Sequence, residues 1–360
     1  MQTRLTQLLG CRYPIIQTAM GWVADPELVA ATANAGGFGF LAGAVMTLEE
    51  IEQGIIQIKQ RTDAPFGVNF HMYVPHAADI VELCIAHKVR AVSYSRSPAG
   101  SAVERLKSAG IVCIPTVGAA KHAVKAVELG ADALVIQGGE GGGHTGSVAT
   151  NLLLAQVREA VSVPIAAAGG FQDGAGLVAA LCMGADGIAM GTRFLLTQES
   201  PVPDATKAVY LKTPPENIVV STRLDGMPQR MIANPYLARL MKASSLGLLI
   251  RALLNGLAFS RATGGSLFGM MRGAWKMSRT GDLSLGQTLM AANAPMMIQQ
   301  AMVKGHPEDG ILPSGQVAGL IDDLPTVQTL LERIMTEAHR AFGRVQTLVA
   351  NTHHPSDSEA

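Results

Sequence analysis

One segment organises the chain: Val135-Ile-Gln-Gly-Gly-Glu-Gly-Gly-Gly-His-Thr-Gly146. Its first residues are apolar and β-branched, which indicates a buried strand. Six glycines follow with one glutamate and one histidine, and so many glycines lose too much backbone entropy to form a helix or a strand. They let the backbone lie close to a flat or bulky group. We predict a cofactor-facing loop at the C-terminal end of a strand, with His144 directed into the site.

The same alternation of short apolar runs and amphipathic segments extends from residue 14 to residue 192. The predicted strands are 14–20, 37–42, 66–72, 91–95, 111–118, 133–138, 164–170 and 187–192. Helices are predicted between them, with caps at Asp25, at Thr47 with Glu50, and at Asp173. Eight strands that alternate with helices predict a TIM (β/α)8 barrel. The alternative is an open doubly wound sheet, which is less favoured because the glycine-rich signals follow late strands.

The alternation ends after the eighth predicted strand, where prolines interrupt a loop-rich stretch. We predict a smaller, mainly helical substrate or lid domain over residues 205–304. The barrel is assigned to residues 1–204 and 305–350, the latter containing a returning amphipathic helix at 324–342. The polar tail 351–360 is predicted to be disordered.

Charge and composition exclude several classes of function. Lys plus Arg and Asp plus Glu are 28 each and aromatic residues make up 4%, so neither charge nor stacking favours nucleic acid. The scattered cysteines indicate reduced core residues of a cytoplasmic protein and no metal site. Because no signal peptide and no membrane-length apolar run is seen, we predict no membrane partner.

The loops that follow the last two predicted strands indicate a phosphate-bearing cofactor. Function in a barrel is carried by the loops at the C-terminal ends of the strands. Gly169-Gly170 and Gly191-Thr192 supply backbone N–H groups and a hydroxyl at the two loops where barrels often bind phosphate, aided by a helix N-terminus. The alternative is that these glycines only close tight turns.

Other side chains at strand ends are suited to contact a cofactor ring. Asn69 and Gln137 carry amides that can bond the edge of a heterocycle, or they only cap turns. Met20 is suited to pack against a flat ring and equally to lie in the core. His71 faces either the site or a neighbouring strand, and the sequence leaves both open.

His144 is the candidate acid or base. It follows three glycines, where side-chain packing is absent, and this context favours proton transfer over a structural role. Glu140 is expected to orient His144 or to bind a ribityl or substrate hydroxyl; the alternative is a solvated loop carboxylate.

Seven motifs follow one another in a characteristic order. They are Pro14-Ile-Ile-Gln-Thr-Ala-Met-Gly21, Ala33-Asn-Ala-Gly-Gly-Phe-Gly39, Phe66-Gly-Val-Asn69, Gly138-Gly-Glu-Gly-Gly-Gly-His144, Ala166-Ala-Ala-Gly-Gly-Phe171, Met190-Gly-Thr-Arg-Phe194 and Ser314-Gly-Gln-Val-Ala-Gly319. Together they resemble the nitronate monooxygenase (2-nitropropane dioxygenase-like) family of FMN-dependent barrel enzymes, and they cover most of the chain.

The resemblance implies that FMN lies across the barrel mouth and that His144 is the family's catalytic base. The residues that it assigns to FMN are Ala19, Met20, Gly21, Asn69, Gln137, Gly138, Gly169, Gly170, Gly191 and Thr192. Those that it assigns to substrate are Trp22, His71, Glu140 and Gln316. Thr116 departs from the pattern, because some members carry a lysine there, and this puts that flavin contact in question.

Three segments narrow the resemblance to flavin-dependent oxidoreductases of bacterial steroid degradation, which act on the CoA thioester of the C/D-ring fragment. These segments are Met20-Gly-Trp-Val-Ala24, Val135–Gly146 and Asp225-Gly-Met-Pro228. The predicted reaction is hydride exchange between flavin and a small-molecule or acyl-CoA substrate, with His144 as acid or base. The alternatives are a nitronate monooxygenase that uses O2, an NAD(P)H:quinone or enoyl reductase, and a barrel that binds a phosphorylated ligand without redox chemistry. Homo-oligomerisation is left open.

Overall fold

The computed structural model describes residues 1–72, 74, 76–95, 100–242 and 285–350. The chain divides into two units. The first comprises Met1–Gly139, Ser147–Ser200 and Leu324–Ala360, and the second comprises Glu140–Gly146 and Pro201–Asp323. The helical content expected over residues 243–281 and the disorder expected over residues 351–360 lie outside the described residues.

Within the described residues, eight parallel strands form a closed barrel in the first unit, so the predicted TIM barrel is confirmed and the open sheet is excluded. The strands before the glycine-rich loop are β1 (Ile15–Gln17), β2 (Phe38–Ala42), β3 (Gly67–His71), β4 (Ala91–Ser95), β5 (Val112–Val117) and β6 (Leu134–Gln137). The loop contains β7 (Gly143–His144), which belongs to the second unit, and β8 (Ile165–Ala168) and β9 (Gly187–Met190) complete the barrel. Pairing of Ile15 with Ile188 closes it between β1 and β9.

Helices alternate with these strands. They are α1 (Arg4–Leu9), α2 (Pro26–Asn34), α3 (Leu48–Arg61), α4 (Ala77–Ala86), α5 (Gly100–Ser108), α6 (Ala120–Glu128), α7 (Thr150–Ala160), α8 (Gly174–Cys182) and α9 (Thr192–Leu195). Of these, α2, α3 and α8 begin at the predicted caps. Asp25 caps α2 by accepting the Leu28 N–H at 2.9 Å. Thr47 and Glu50 form a capping box at the start of α3. Each cap satisfies amide donors that a helix start leaves unpaired.

The barrel interior combines small residues on the late strands with large ones on the early strands. Ala166, Ala168 and Ala189 lie in the same buried cluster as Phe38 and Phe40. The two phenylalanine rings meet edge to face with centroids 5.1 Å apart. Alanines leave the volume that the rings fill, which is how a barrel core reaches close packing.

The second unit contains a small sheet that the sequence analysis misses. After residue 200, the helices and strands of this unit include α10 (Asp204–Lys212), β10 (Ile218–Ser221), β11 (Gln229–Ile232), α11 (Pro235–Lys242) and α12 (Leu285–Met302). In the described part of the unit, β11 lies between β10 and β7 and is antiparallel to both. The strands have two to four residues each, so their alternation is too brief to appear as a pattern.

The segment from residue 305 to residue 323 belongs to this second unit, whereas the sequence analysis expects it in the barrel. The Ile232 N–H donates to the Leu312 carbonyl at 3.0 Å, and the Ser314 N–H donates to the Arg230 carbonyl at 3.2 Å. These backbone bonds attach the segment to β11. A hydrophobic pattern alone does not reveal such pairing, because it says nothing about the partner strand.

The chain returns to the first unit as α13 (Val327–Ala350), which is the predicted C-terminal helix extended to residue 350. The backbone of α13 lies in direct contact with the first residue of α8. A Cβ atom at Gly174 would lie 2.2 Å from the Ala338 nitrogen and 2.3 Å from the Ile334 oxygen. The Gly174 N–H donates to the Glu337 carboxylate at 2.9 Å. Only glycine permits this approach of the two helices.

Candidate active site

The turn after β8 depends on glycine. Gly169 and Gly170 have φ angles of 106° and 84°, in the left-handed region that side chains disfavour. The Thr150 hydroxyl fixes the turn from α7, because it lies 3.2 Å from the Ala168 carbonyl oxygen and 3.1 Å from that of Gly169. Gly169 is partly exposed and Gly170 is exposed, so this turn presents bare backbone at the C-terminal end of a barrel strand.

The turn after β9 lies beside the loop after β1. A Cβ atom at Gly191 would lie 3.1 Å from Thr18 Oγ1 and 3.3 Å from Met20 Sδ. The Thr18 N–H donates to the Met190 carbonyl at 3.1 Å. The structure therefore brings together Met20 and Gly191, two residues that the sequence assigns to one cofactor. Thr192 follows directly as the buried first residue of α9.

The start of α8 is already occupied by protein carboxylates. Asp173 accepts the Gly176 N–H at 2.8 Å, which confirms its predicted capping role. Glu337 accepts the Gly174 N–H at 2.9 Å. Two amides that could attract an anion are thus committed inside the protein.

The end of β6 lies beside the turn after β8. The Gly138 N–H donates to the Ala168 carbonyl at 3.0 Å, and Gln137 pairs with Ala168 across the two strands. A Cβ atom at Gly138 would lie 2.2 Å from Thr150 Oγ1 and 2.4 Å from Thr150 Cα. A side chain at residue 138 is therefore excluded, and the partly buried Gln137 side chain ends the strand.

The polar residues of β3 contact β4. Asn69 Nδ2 lies 3.2 Å from the Ser93 carbonyl oxygen, and His71 Nδ1 lies 3.0 Å from Ser95 Oγ. Both contacts follow from the register, which pairs these residues across the two parallel strands. Of the two alternatives left open for His71, the contact with a neighbouring strand is thus observed. Thr116 is partly buried on β5.

Trp22 has a strained backbone. Among the residues that the structure describes, it is one of two non-glycine residues with positive φ, at 61°. Val23 and Ala24 both donate their N–H groups to the Met20 carbonyl, at 3.0 and 2.9 Å, and so fold the loop after β1 into a tight turn. An L-residue in this region costs roughly 1–2 kcal/mol, and such residues cluster at functional sites. The partly exposed Ala19 and the exposed Gly21 belong to the same loop.

His144 lies on a strand of the second unit. It pairs with Gln229 of β11 through β7. The Gln316 N–H donates to the Glu140 carbonyl at 2.9 Å, and a Cβ atom at Gly142 would lie 2.5 Å from the Gly315 nitrogen. The glycines that the sequence analysis assigns to a cofactor-facing loop thus also let this loop pack closely on the segment that contains Gln316.

The imidazole of His144 contacts a buried carboxylate that sequence reasoning missed. His144 Nε2 lies 2.6 Å from Asp225 Oδ2, and Gln229 Nε2 lies 2.6 Å from the same oxygen. The His144 side chain is 56% exposed, whereas that of Asp225 is 10% exposed. Burial by itself raises the pKa of Asp225, but hydrogen bonds from His144, the Met227 N–H and Gln229, with the charge of His144, outweigh it and lower the pKa.

Asp225 thus supplies a carboxylate that is hydrogen-bonded to His144. The sequence analysis considers Glu140 for this role. Burial lowers the pKa of Arg230, and the charge of Glu140 acts in the opposite direction. The only sequence signal for Asp225 was its place in the Asp225-Gly-Met-Pro228 motif. Its side-chain contact depends on the pairing of β7 with β11, which local pattern does not reveal.

Two further features, a membrane-spanning helix and a metal-binding cluster, are absent from the described ranges. No helix there is both long enough and apolar enough to cross a membrane. No group of three or more His, Cys, Asp or Glu side chains there could hold a metal ion.

Comparison with known proteins supplies the family. The family model for nitronate monooxygenase matches residues 2–337. The (3aS,4S,5R,7aS)-5-hydroxy-7a-methyl-1-oxo-octahydro-1H-indene-4-carboxyl-CoA dehydrogenase of Mycobacterium tuberculosis is 49% identical over 341 residues, which cover 94% of this chain and 96% of that protein. The protein of the same name from Rhodococcus jostii is 47% identical over 350 residues, covering 97% and 99%. The structure of FabK from Thermotoga maritima superposes with a TM-score of 0.78 at 30% identity, covering 97% of this chain and 99% of that one. The chain therefore belongs to the nitronate monooxygenase family and is an oxidoreductase.

Proposed function

We propose that the chain is an FMN-dependent dehydrogenase that exchanges a hydride between the flavin and the CoA thioester of a fused-ring carboxylic acid. One observation carries this proposal: identities of 49% and 47% over nearly the whole chain to two dehydrogenases named for an indene-carboxyl-CoA substrate. The resemblance found in the sequence motifs supports the same substrate class.

The geometry of the barrel supports FMN as the cofactor. The φ angles of Gly169 and Gly170 keep side chains away from the turn after β8. A Cβ atom at Gly191 would fill the space beside Thr18 and Met20. These turns, with Thr192, would hold the phosphate, since late barrel loops are the usual phosphate site. The ring would contact Ala19, Met20, Gly21, Asn69, Gln137 and Gly138.

His144 is proposed as the residue that moves the proton. When bound, FMN accepts or returns a hydride at its ring. His144 removes the proton that accompanies loss of the hydride from the substrate, and it returns that proton in the reverse direction. Its 56% exposed side chain can be reached by a bound substrate. The two electrons removed in each turnover must pass to an electron acceptor, for which NAD(P)+ and O2 are the two chemical classes to test. We also propose Trp22, His71, Glu140 and Gln316 as substrate contacts.

A cytoplasmic location is proposed on the state of the cysteines. Cys11, Cys84, Cys113 and Cys182 are all free thiols. Burial raises the pKa of Cys11 to about 11 and that of Cys84 to about 12, so these thiols are unreactive core groups. Free cysteines are typical of a reducing compartment.

The proposal is tested on the purified protein. It should be yellow, and denaturation should release FMN. Anaerobic mixing with the indene-carboxyl-CoA thioester named for the two relatives should bleach the flavin absorbance. A colourless protein that binds no FMN would contradict the proposal and, with tight sugar-phosphate binding, would favour a barrel without redox chemistry.

A second candidate is supported by the family match over residues 2–337, which carries the name nitronate monooxygenase. Oxygen consumption with propionate-3-nitronate, without flavin bleaching by the CoA thioester, would favour that activity. Rapid anaerobic bleaching by NAD(P)H would instead favour a quinone or enoyl reductase. Flavin absorbance in one stopped-flow apparatus follows the reaction with each of the three substrates, so the three rates can be compared directly.

Gly170→Ala is expected to weaken FMN binding by about tenfold, equivalent to about 1.4 kcal/mol. With φ at 84°, an alanine strains the turn and displaces the N–H groups proposed to contact the phosphate. Gly110→Ala is the matched control, because Gly110 has φ of 76° with no atom within 4 Å of an added Cβ, and it lies outside the proposed site. Fluorescence titration of the apoprotein with FMN should separate the two variants; equal affinities would remove this turn from the FMN site.

A further inference from the structure

We infer that Asp225 and Gln229 are positioning residues that hold His144 with a proton on Nε2, so that Nδ1 is the nitrogen that takes the substrate proton. The inference rests on the proposed role of His144 in proton transfer. It specifies which ring nitrogen of His144 takes the proton and which residues determine that choice.

Two nitrogen atoms lie within hydrogen-bonding distance of one carboxylate oxygen of Asp225. Asp225 Oδ2 lies 2.6 Å from His144 Nε2 and 2.6 Å from Gln229 Nε2. An ionised carboxylate only accepts hydrogen bonds, so both nitrogens must donate. Such charge-assisted bonds are short and strong. In the neutral imidazole, a proton on Nε2 leaves the lone pair of Nδ1 as the base.

The Asp225 carboxylate is ionised at neutral pH. Burial raises its pKa, but the hydrogen bonds that it accepts outweigh burial and bring the pKa below the ordinary value of 3.8. The carboxylate is therefore charged at neutral pH and keeps its charge to a lower pH than an ordinary aspartate. It loses its charge only as pH falls through the lowered pKa.

The amide of Gln229 confirms the direction of these bonds. Its Nε2 also lies 3.2 Å from His144 Nε2, a distance that would suit a bond between the two nitrogens. The shorter 2.6 Å contacts to one carboxylate oxygen explain that approach better, because two donors that share an acceptor come close together. The reversed amide would place its oxygen against the carboxylate, which would be repulsive.

The pair is held by backbone on two sides. The Met227 N–H donates to Asp225 Oδ1 at 3.0 Å, so the carboxylate has a fixed orientation. Gln229 is paired with Ser221 of β10 on one side and with His144 of β7 on the other. The histidine is thus attached to the same strand that carries its positioning amide. A site held by a sheet keeps its geometry better than one held by a loop.

Other charged groups lie on the elements packed against β7. They are Glu140 in the same loop, Arg223 in the turn before Asp225, and Arg230 on β11. The charge of Glu140 acts on Arg230. The carboxylate of Asp225 lies 2.6 Å from the imidazole.

The tautomer can be measured without turnover. NMR of protein labelled with ¹⁵N-histidine, with the His144 signals assigned by their loss in His144→Ala, should show a protonated Nε2 and an unprotonated Nδ1 in the neutral ring. In Asp225→Asn the proton should shift toward Nδ1, because the asparagine amide can turn its donor toward Nε2. A wild-type protein with its proton on Nδ1 would overturn the inference, whatever the substrate proves to be.

Kinetics supply the second measurement. Asp225→Asn should lower kcat by about ten- to a hundredfold, since the carboxylate that holds the imidazole in its productive tautomer is gone. Asp225→Glu, which keeps a carboxylate, should restore part of kcat. Gln229→Met should lower kcat by about fivefold or more, because one of the donors that hold the Asp225 carboxylate is lost.

The matched control is Asp309→Asn, an exposed carboxylate of the second unit, which should leave both kcat and the His144 tautomer unchanged. Bound FMN, measured by absorbance, should be equal in all variants. An Asp225→Asn protein with wild-type kcat and the wild-type tautomer would overturn the inference while leaving the proposed function intact. Loss of FMN from the wild type would instead overturn the proposed function and leave the tautomer measurement valid.

Discussion

Replacing His144 by alanine is expected to lower kcat by about a hundredfold or more while FMN stays bound, because general acid–base catalysis contributes about 10²–10⁴-fold. The imidazole is 56% exposed and lies on an edge strand, so its removal opens no cavity in a core. It does remove one donor to the buried Asp225 carboxylate, which retains those of Met227 and Gln229. Folding should therefore survive and the loss should concern the proton step.

The measurement is the rate of flavin bleaching by the CoA thioester under anaerobic conditions, at saturating substrate. His306→Ala is the control, since His306 is an exposed histidine of the same unit. It should bleach at the wild-type rate. If His144→Ala also bleaches at that rate, His144 has no part in proton transfer and another base must be found.

Replacing Gly174 by alanine is expected to destabilise the protein by about 2–4 kcal/mol, because overpacking of a rigid contact displaces backbone. The added Cβ would meet the Ala338 nitrogen at 2.2 Å and the Ile334 oxygen at 2.3 Å, and neither atom can rotate away. The change would also disturb the bond from the Gly174 N–H to Glu337. Helix α13 would have to move off α8, exposing buried residues such as Leu330.

Gly343→Ala is the matched control on the same helix. An added Cβ there meets no atom within 4 Å. Since alanine favours a helix interior over glycine, this variant should be more stable by about 0.5–1 kcal/mol. Chemical denaturation of both variants measures the effect. If both variants were stabilised, helix propensity, and not the contact between α8 and α13, would govern stability here.

The barrel could be predicted because its signals are local. Each strand is a short apolar run, and the caps at Asp25, Thr47 and Asp173 mark where helices begin. The bounds of the first strand are predicted less accurately, because the apolar run 14–20 indicates one continuous strand. Pairing covers only Ile15–Gln17, because the chain then turns on the Met20 carbonyl.

The site could be predicted only where its residues share a segment or a barrel edge. The resemblance assigns both Met20 and Gly191 to the cofactor, and they lie side by side because they follow neighbouring strands at the same end of the barrel. Asp225 and Gln229 could not be assigned to His144, since their approach depends on register in a sheet of very short strands. Hydrophobic periodicity carries no information on such pairing.

The pairing of β7 with β11 has a consequence for any attempt to graft the second unit onto a related scaffold. A transplant cut at Pro201 and Asp323 would leave behind the donor's own Glu140–Gly146. The host histidine would then face a foreign aspartate and glutamine, and the ladder bonds of the edge strand would have no matched partner. A well-folded chimaera must therefore exchange two separated stretches of gene together, and natural recombination that moved only one of them would yield a protein whose histidine lacks its matched aspartate and glutamine.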